Sequence, residues 1–107
     1  MYYVYIISNW NRRVLYTGFT NDIENRTYQN KHKLTPGFTS KYNCNKLLYY
    51  EEIECFEEAL HREKQLKRYL RTWKFNLIKK MNPKFEDLYQ DLAPIEPFNN
   101  AGKKSRK

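Results

Sequence analysis

The chain has 107 residues, a formal charge of +8 and two cysteines. That length holds one compact core and excludes a second sizeable one. No apolar run approaches the roughly 20 residues needed to span a bilayer.

Tyr2–Ser8 is rich in β-branched and aromatic residues and predicts a strand, as does Val14–Thr20. The polar Asn9–Arg13 between them predicts a hairpin turn centred between Trp10 and Asn11. That register sets Tyr5 opposite Tyr16 on one face of the sheet. Asn21 is expected to cap a helix over Asp22–Lys31, with Glu24 completing a capping box. Leu34–Asn45, with Pro36-Gly37 and Asn43-Cys44-Asn45, reads as a loop holding one turn of structure. Leu47–Glu54 predicts a third strand. From Phe56 to Leu77 apolar residues recur at helical spacing, with a break expected near Arg71-Thr72. Asn82-Pro83 ends this stretch, since proline lacks a donor and restricts the residue before it. Phe85–Leu92 predicts a last short helix. The order β-β-α-β-α-α implies an α+β domain over 1–92, a small sheet covered by helices. Residues 93–107, with Pro94, Pro97 and a basic end, are expected to form a flexible tail.

The start at Met1-Tyr2-Tyr3-Val4 lacks a basic n-region and a small-residue cleavage site. Cys44 and Cys55 make no disulfide framework, and no close C-x-x-C pair supports a zinc site with His32 and His61. A reduced, cytoplasmic setting is the expectation.

Charge is unevenly placed. Acids crowd Glu51–Glu58, whereas Arg62, Lys64, Lys67, Arg68, Arg71, Lys74, Lys79 and Lys80 face the single acid Glu63 between Leu60 and Lys80. Concentrated positive charge draws a protein to polyanions, so nucleic acid is the expected partner. The alternative is a solvated helix surface.

Five residues stand out. Tyr5 and Tyr16 are either a stabilising cross-strand pair or two hydroxyls offered to a ligand. Gly18, two residues on and on the same face, marks either a bulge or a close approach by a ligand or another backbone. Glu63 falls on the apolar stripe, four residues after Ala59 and three before Leu66. Carboxylates go inside only when paired or metal-bound, so Glu63 is either an ion pair with Arg26 or a nearby lysine, or a metal ligand. Arg26, on the helix after the Gly18 strand, is either an exposed helix arginine or a planar donor for phosphate. Lys41 and Tyr42 in the middle loop are either surface residues or phosphate contacts.

Y-V-Y at Tyr3–Tyr5, Y-T-G at Tyr16–Gly18, the helix start from Asn21 to Arg26, G-F-T-S-K-Y from Gly37 and R-E-K-Q-L-K at Arg62–Lys67 together resemble the GIY-YIG nuclease superfamily. The small stand-alone bacterial branch is the most similar. The resemblance covers Met1–Leu92 and implies a three-stranded antiparallel sheet flanked by helices. It also implies a divalent-metal-dependent endonuclease of low sequence specificity acting on DNA. Tyr5, Tyr16 and Arg26 take catalytic places, and Glu63 is the ligand of one Mg²⁺ or Mn²⁺ ion. Lys41, Arg62, Lys64, Lys67, Arg68, Arg71 and Lys74 are the expected nucleic-acid contacts. The pattern departs from the family at Tyr3-Val4 and Thr17, where Gly-Ile and Ile are usual. Asn30 stands where many relatives have a histidine, and a late asparagine of some members corresponds to Asn76 or Asn82. A non-catalytic nucleic-acid-binding protein on the same scaffold is the alternative, and an interaction module using the acidic edge at Glu51–Glu58 is a third.

Overall fold

The computed structural model describes residues 1–34 and 37–92. The expected tail at 93–107 and the Pro36 of the predicted turn lie outside the described residues.

The strands are β1 (Tyr2–Ser8), β2 (Leu15–Thr20) and β3 (Lys46–Ile53), and the helices are α1 (Ile23–Lys31), α2 (Phe38–Lys41), α3 (Phe56–Lys67), α4 (Arg71–Met81) and α5 (Tyr89–Leu92). The sheet is antiparallel in the order β2-β1-β3. This is the α+β architecture expected, with helices over both faces.

β1 is the middle strand, and its alternation feeds two cores. Val4 and Ile6 point to one face, where they meet Leu48, Ala59, Leu66 and Ile78 under α3 and α4. Tyr5 and Ile7 point to the other, where they meet Ile23, Cys44 and Leu47 under α1, with Leu88 and Leu92 alongside. A strand covered on both faces can be apolar at successive positions, which explains the unbroken run from Val4 to Ile7. A register shift in the β1–β3 ladder lies between Ile6 and Ile7.

The hairpin register differs from the one expected. Tyr5 pairs with Gly18, and Tyr16 with Ile7. The turn is centred between Asn11 and Arg12, one residue later than the polar run suggests. Arg12 adopts φ 61°, its amide donates to Asn9 O at 3.1 Å, and Asn9 Oδ1 accepts from the Val14 amide at 3.1 Å. Since the centre moves by one residue, each partner moves by two. Tyr5 and Tyr16 therefore still share a face, as diagonal rather than direct neighbours.

Three boundaries also move. The cap of α1 is Asp22, whose carboxylate accepts from the Asn25 amide at 3.1 Å, and not Asn21. Thr20 Oγ1 accepts from the Asp22 amide at 3.1 Å and so holds the cap residue one position further along. The long helical stretch breaks at Arg68–Leu70, before the expected Arg71-Thr72. The Arg68 and Tyr69 amides turn back to Gln65 and Leu66 carbonyls, and Leu70 is extended. The last helix spans only Tyr89–Leu92, because Phe85 sits at φ 55°.

The segment after α4 straps the structure together. Asp87 accepts from the Leu47 amide at 3.1 Å and pairs with Lys31, while the Leu88 amide donates to Leu47 O at 2.8 Å. Lys31 also donates to Asn45 O at 2.7 Å. The end of α1 is thereby tied to the start of β3, which fixes the helix carrying Arg26.

Leu66 is fully buried where α3 meets the sheet. Leu66→Ala is expected to cost about 2–5 kcal/mol by cavity formation, read from urea denaturation. Cys44 is buried, and desolvation pushes its thiol up to about 11, whereas Cys55 is exposed. A maleimide at neutral pH is expected to label Cys55 in the folded protein and Cys44 only on unfolding, as peptide mapping would read.

Candidate active site

Tyr5 is 2 % exposed, yet its hydroxyl end is not lost in the core. A Cβ built on Gly18 would come within 2.8 Å of Tyr5 Cε1 and closer still to Cζ and Oη. The ring therefore crosses over β2, the edge strand, and the missing side chain at position 18 is the space it occupies. Close approach was one expectation for this glycine; the group that approaches is a side chain of the neighbouring strand.

Around that hydroxyl the chain gathers the residues singled out above. The Arg26 guanidinium acts on the Tyr5 hydroxyl both through space and as a hydrogen-bond partner, and Tyr16 and Glu63 lie near enough to perturb it. Burial pushes the Tyr5 hydroxyl above the ordinary tyrosine range, the Arg26 charge pulls it back down, and Tyr16 and Glu63 push it up again. Burial wins. Elements distant in sequence are thus brought together: β1 supplies Tyr5, β2 Tyr16 and Gly18, α1 Arg26 and α3 Glu63.

Glu63 has a side chain only 14 % exposed, and Lys67 Nζ lies 3.2 Å from its Oε2, one turn along α3. The neighbouring-lysine pairing expected above is therefore present, but it engages one oxygen, from a lysine whose own side chain is half exposed. A pair of that kind is weak and exchangeable. No cluster of three or more His, Cys, Asp or Glu residues suited to a metal occurs among the described residues. One carboxylate does not build a zinc cage. It does fit a hard ion such as Mg²⁺ or Mn²⁺, which keeps several waters and takes other ligands from a phosphate.

Tyr16 is half-buried and stacks on Phe38 of α2 at 5.7 Å. Gly37 begins that helix at φ 126°, a conformation that favours glycine. Asn30, one turn beyond Arg26 on α1, is 5 % exposed. Its Oδ1 accepts from Thr39 Oγ1 at 3.1 Å, while its Nδ2 has no partner among the described residues. A buried donor without an acceptor costs stability, and the sequence signal for it was only its spacing from Arg26.

The expected nucleic-acid contacts divide. Arg62 is held by Glu51, with Nη2 2.8 Å from Oε2 and Nε 2.9 Å from Oε1, and Tyr49 donates to the same carboxylate. Its charge is absorbed by the sheet. Arg71 donates to Arg12 O and lies over the Phe75 ring, tying α4 to the hairpin tip. Burial holds the Lys74 ammonium below the ordinary lysine range, helped by the nearby charges of Arg71 and Lys67. These three cations therefore sit together, and one of them, Lys67, is the partner of Glu63. Lys64 and Arg68 line a cleft described below, and Lys41 is exposed, 5.4 Å from the Tyr42 ring. Asn76 is exposed on α4. Asn82 is buried, donating to Leu48 O and Glu86 O and accepting from the Glu86 amide. All its polar atoms serve the backbone at the helix stop.

The Tyr5 ring thus crosses the edge-strand glycine, with Arg26 and Glu63 near enough to act on its hydroxyl. Residues 1–76 match the family described as the GIY-YIG catalytic domain, and the chain belongs to that nuclease family. It is similar to a UPF0213 protein of Clostridium perfringens (strain 13 / Type A), 33% identical over 92 residues, covering 86% of this chain and 98% of the relative. It is also similar to a UPF0213 protein of Syntrophus aciditrophicus (strain SB), 37% identical over 82 residues, covering 76% and 92%. No solved structure gives a significant match. The nuclease-type domain implies a nucleic-acid substrate, and no described helix is long and apolar enough to cross a membrane.

Gly18→Ala forces a methyl into the Tyr5 ring, and overpacking of this kind is expected to cost about 1–3 kcal/mol in denaturant unfolding. The raised Tyr5 hydroxyl also has a pH signature. Unfolded tyrosine loses its proton near pH 10 while the folded group keeps it, so the unfolded state binds fewer protons and stability falls as pH rises above that value. Tyr5→Phe is expected to make this alkaline loss shallower without abolishing it, since Tyr49 and Tyr50 are raised by burial as well.

Proposed function

We propose that the protein is an endonuclease that hydrolyses DNA phosphodiester bonds with one divalent ion, Mg²⁺ or Mn²⁺, and with low sequence specificity. The observation that carries this reading is the Tyr5 ring lying across Gly18, with Arg26, Tyr16 and Glu63 near enough to act on its hydroxyl.

Glu63 is the residue that would hold the ion, which when bound supplies Lewis-acid stabilisation to the phosphoryl group. Arg26 presents its planar donors to the non-bridging oxygens as negative charge builds on them. Tyr5, kept protonated by burial, donates a hydrogen bond and orients the phosphate or the attacking water. Tyr16 is then the oxygen left to accept a proton from that water. Water oxygen bonds to phosphorus, the bond to the 3′ oxygen breaks, and the departing oxygen takes its proton from solvent.

Lys67 and Lys74 lie on the Glu63 side and suit backbone phosphates. Phosphate contacts position a duplex without reading sequence, which supports low specificity. The domain at 1–92 carries all four site residues and needs none of the basic stretch at 93–107 for chemistry.

Plasmid nicking with Mn²⁺ tests this. Glu63→Ala is expected to lower the rate about 1,000-fold or more, since a Lewis-acid ion contributes several kcal/mol. Arg26→Ala is expected to cost about 100- to 1,000-fold. Nicking by both variants at the wild-type rate would reject the site, and binding without cleavage by the wild type would leave a nucleic-acid-binding protein.

A further inference from the structure

On the outer side of α3, His61, Lys64, Gln65, Arg68, Tyr69 and Trp73 enclose a cleft of about 450 Å³. Helical geometry places Lys64 and Arg68 about 100° and 140° around α3 from Glu63, so this cleft opens on a different side from the candidate active site. A second hollow of about 200 Å³ shares Tyr69 and Trp73 with the first and adds Asn76 and Lys80. The two rings thus form a ridge with a hollow on either side.

The ridge is built rather than incidental. Trp73 is 50 % exposed, although indole is costly to leave in water. Tyr69 meets it edge-on, with centroids 5.6 Å apart. Tyr69 is itself held by the Arg62 guanidinium, 5.9 Å from its ring, and Arg62 is fixed by Glu51 of the sheet. The rings are therefore held in position before any ligand arrives, which lowers the entropy cost of binding.

Among the described residues, every charged group lining the two hollows is basic, and no acid lines either. Cations flanking an exposed indole and a half-buried tyrosine, with Gln65 and Asn76 as amides able to meet base edges, match unpaired nucleotides rather than a protein surface. A duplex hides its base faces and offers only phosphates. We infer that the Tyr69–Trp73 ridge is a second nucleic-acid site that takes two successive unpaired nucleotides of single-stranded DNA, with Lys64, Arg68 and Lys80 on their phosphates. It rests on the DNA reading above but not on the cleavage chemistry. A substrate carrying an unpaired strand beside the duplex to be cut would engage both sides of α3.

The test is binding of fluorescein-labelled oligo(dT), with blunt duplex of equal length as competitor, to the full chain in EDTA, where metal-dependent cleavage is silent. Trp10, on the hairpin tip and 72 % exposed, is replaced by Phe so that Trp73 alone reports. Saturation with oligo(dT) is expected to quench Trp73 emission, and the single strand is expected to outcompete duplex. Trp73→Ala is expected to weaken oligo(dT) binding about tenfold, while Trp73→Phe, which keeps a ring, retains most of it. Lys64→Gln and Arg68→Gln are each expected to lower the salt slope by about 0.7. Unchanged affinity in Trp73→Ala, unquenched Trp73, or equal competition by duplex would overturn the inference, as would a self-association abolished by Trp73→Ala. Each is distinct from failure of the nuclease reading, which is scored separately by nicking with Mn²⁺.

Discussion

The molecule is organised around one contact, the Tyr5 ring lying across Gly18. Because position 18 has no side chain, a residue of the central strand extends over the edge strand and presents a hydroxyl there while the rest of it stays in the core. Arg26 can then meet it from α1 on one face of the sheet, and Glu63 from α3, whose buried stripe packs on the other. Without that crossing, the two cores would keep the two helices' polar groups apart.

Rigidity around this point comes from ties between distant segments. Asp87 and Lys31 anchor α1 to β3, Glu51 and Arg62 anchor β3 to α3, and Arg71 anchors α4 to the hairpin tip. Each uses a charged group that composition alone would assign to solvent or to a polyanion. The positive surface available to nucleic acid is therefore smaller than the count of basic residues suggests, and it is concentrated where Lys67 and Lys74 approach Glu63 and where Lys64 and Arg68 line the outer cleft.

Much of this was legible in the residues. The strands followed from β-branched and aromatic runs, and Glu63 was marked by its place on the apolar stripe of a helix. The shared face of Tyr5 and Tyr16 survived a wrong register, because a shift of the turn centre by one residue preserves parity. What was not legible depended on non-local partners. Arg62 reads like its basic neighbours until Glu51 is folded against it. Asn82 reads as a candidate site residue until the Leu48 and Glu86 backbone groups claim it. The cap at Asp22, in place of Asn21, was decided by the Thr20 hydroxyl, and the Tyr69–Trp73 ridge by a helix break three residues earlier than the pattern suggested.

The sealing of β1 on both sides separates what this scaffold can alter from what it must keep. Any exchange from Val4 to Ile7 disturbs one core or the other, so new substrate preferences have little room to arise in the middle of the sheet. The outward side of α3 and α4 bears no such double duty. Variation there can change the charge and aromatic character of the surface while the arrangement around Tyr5 stays as it is, and divergence among relatives should accumulate on that side first.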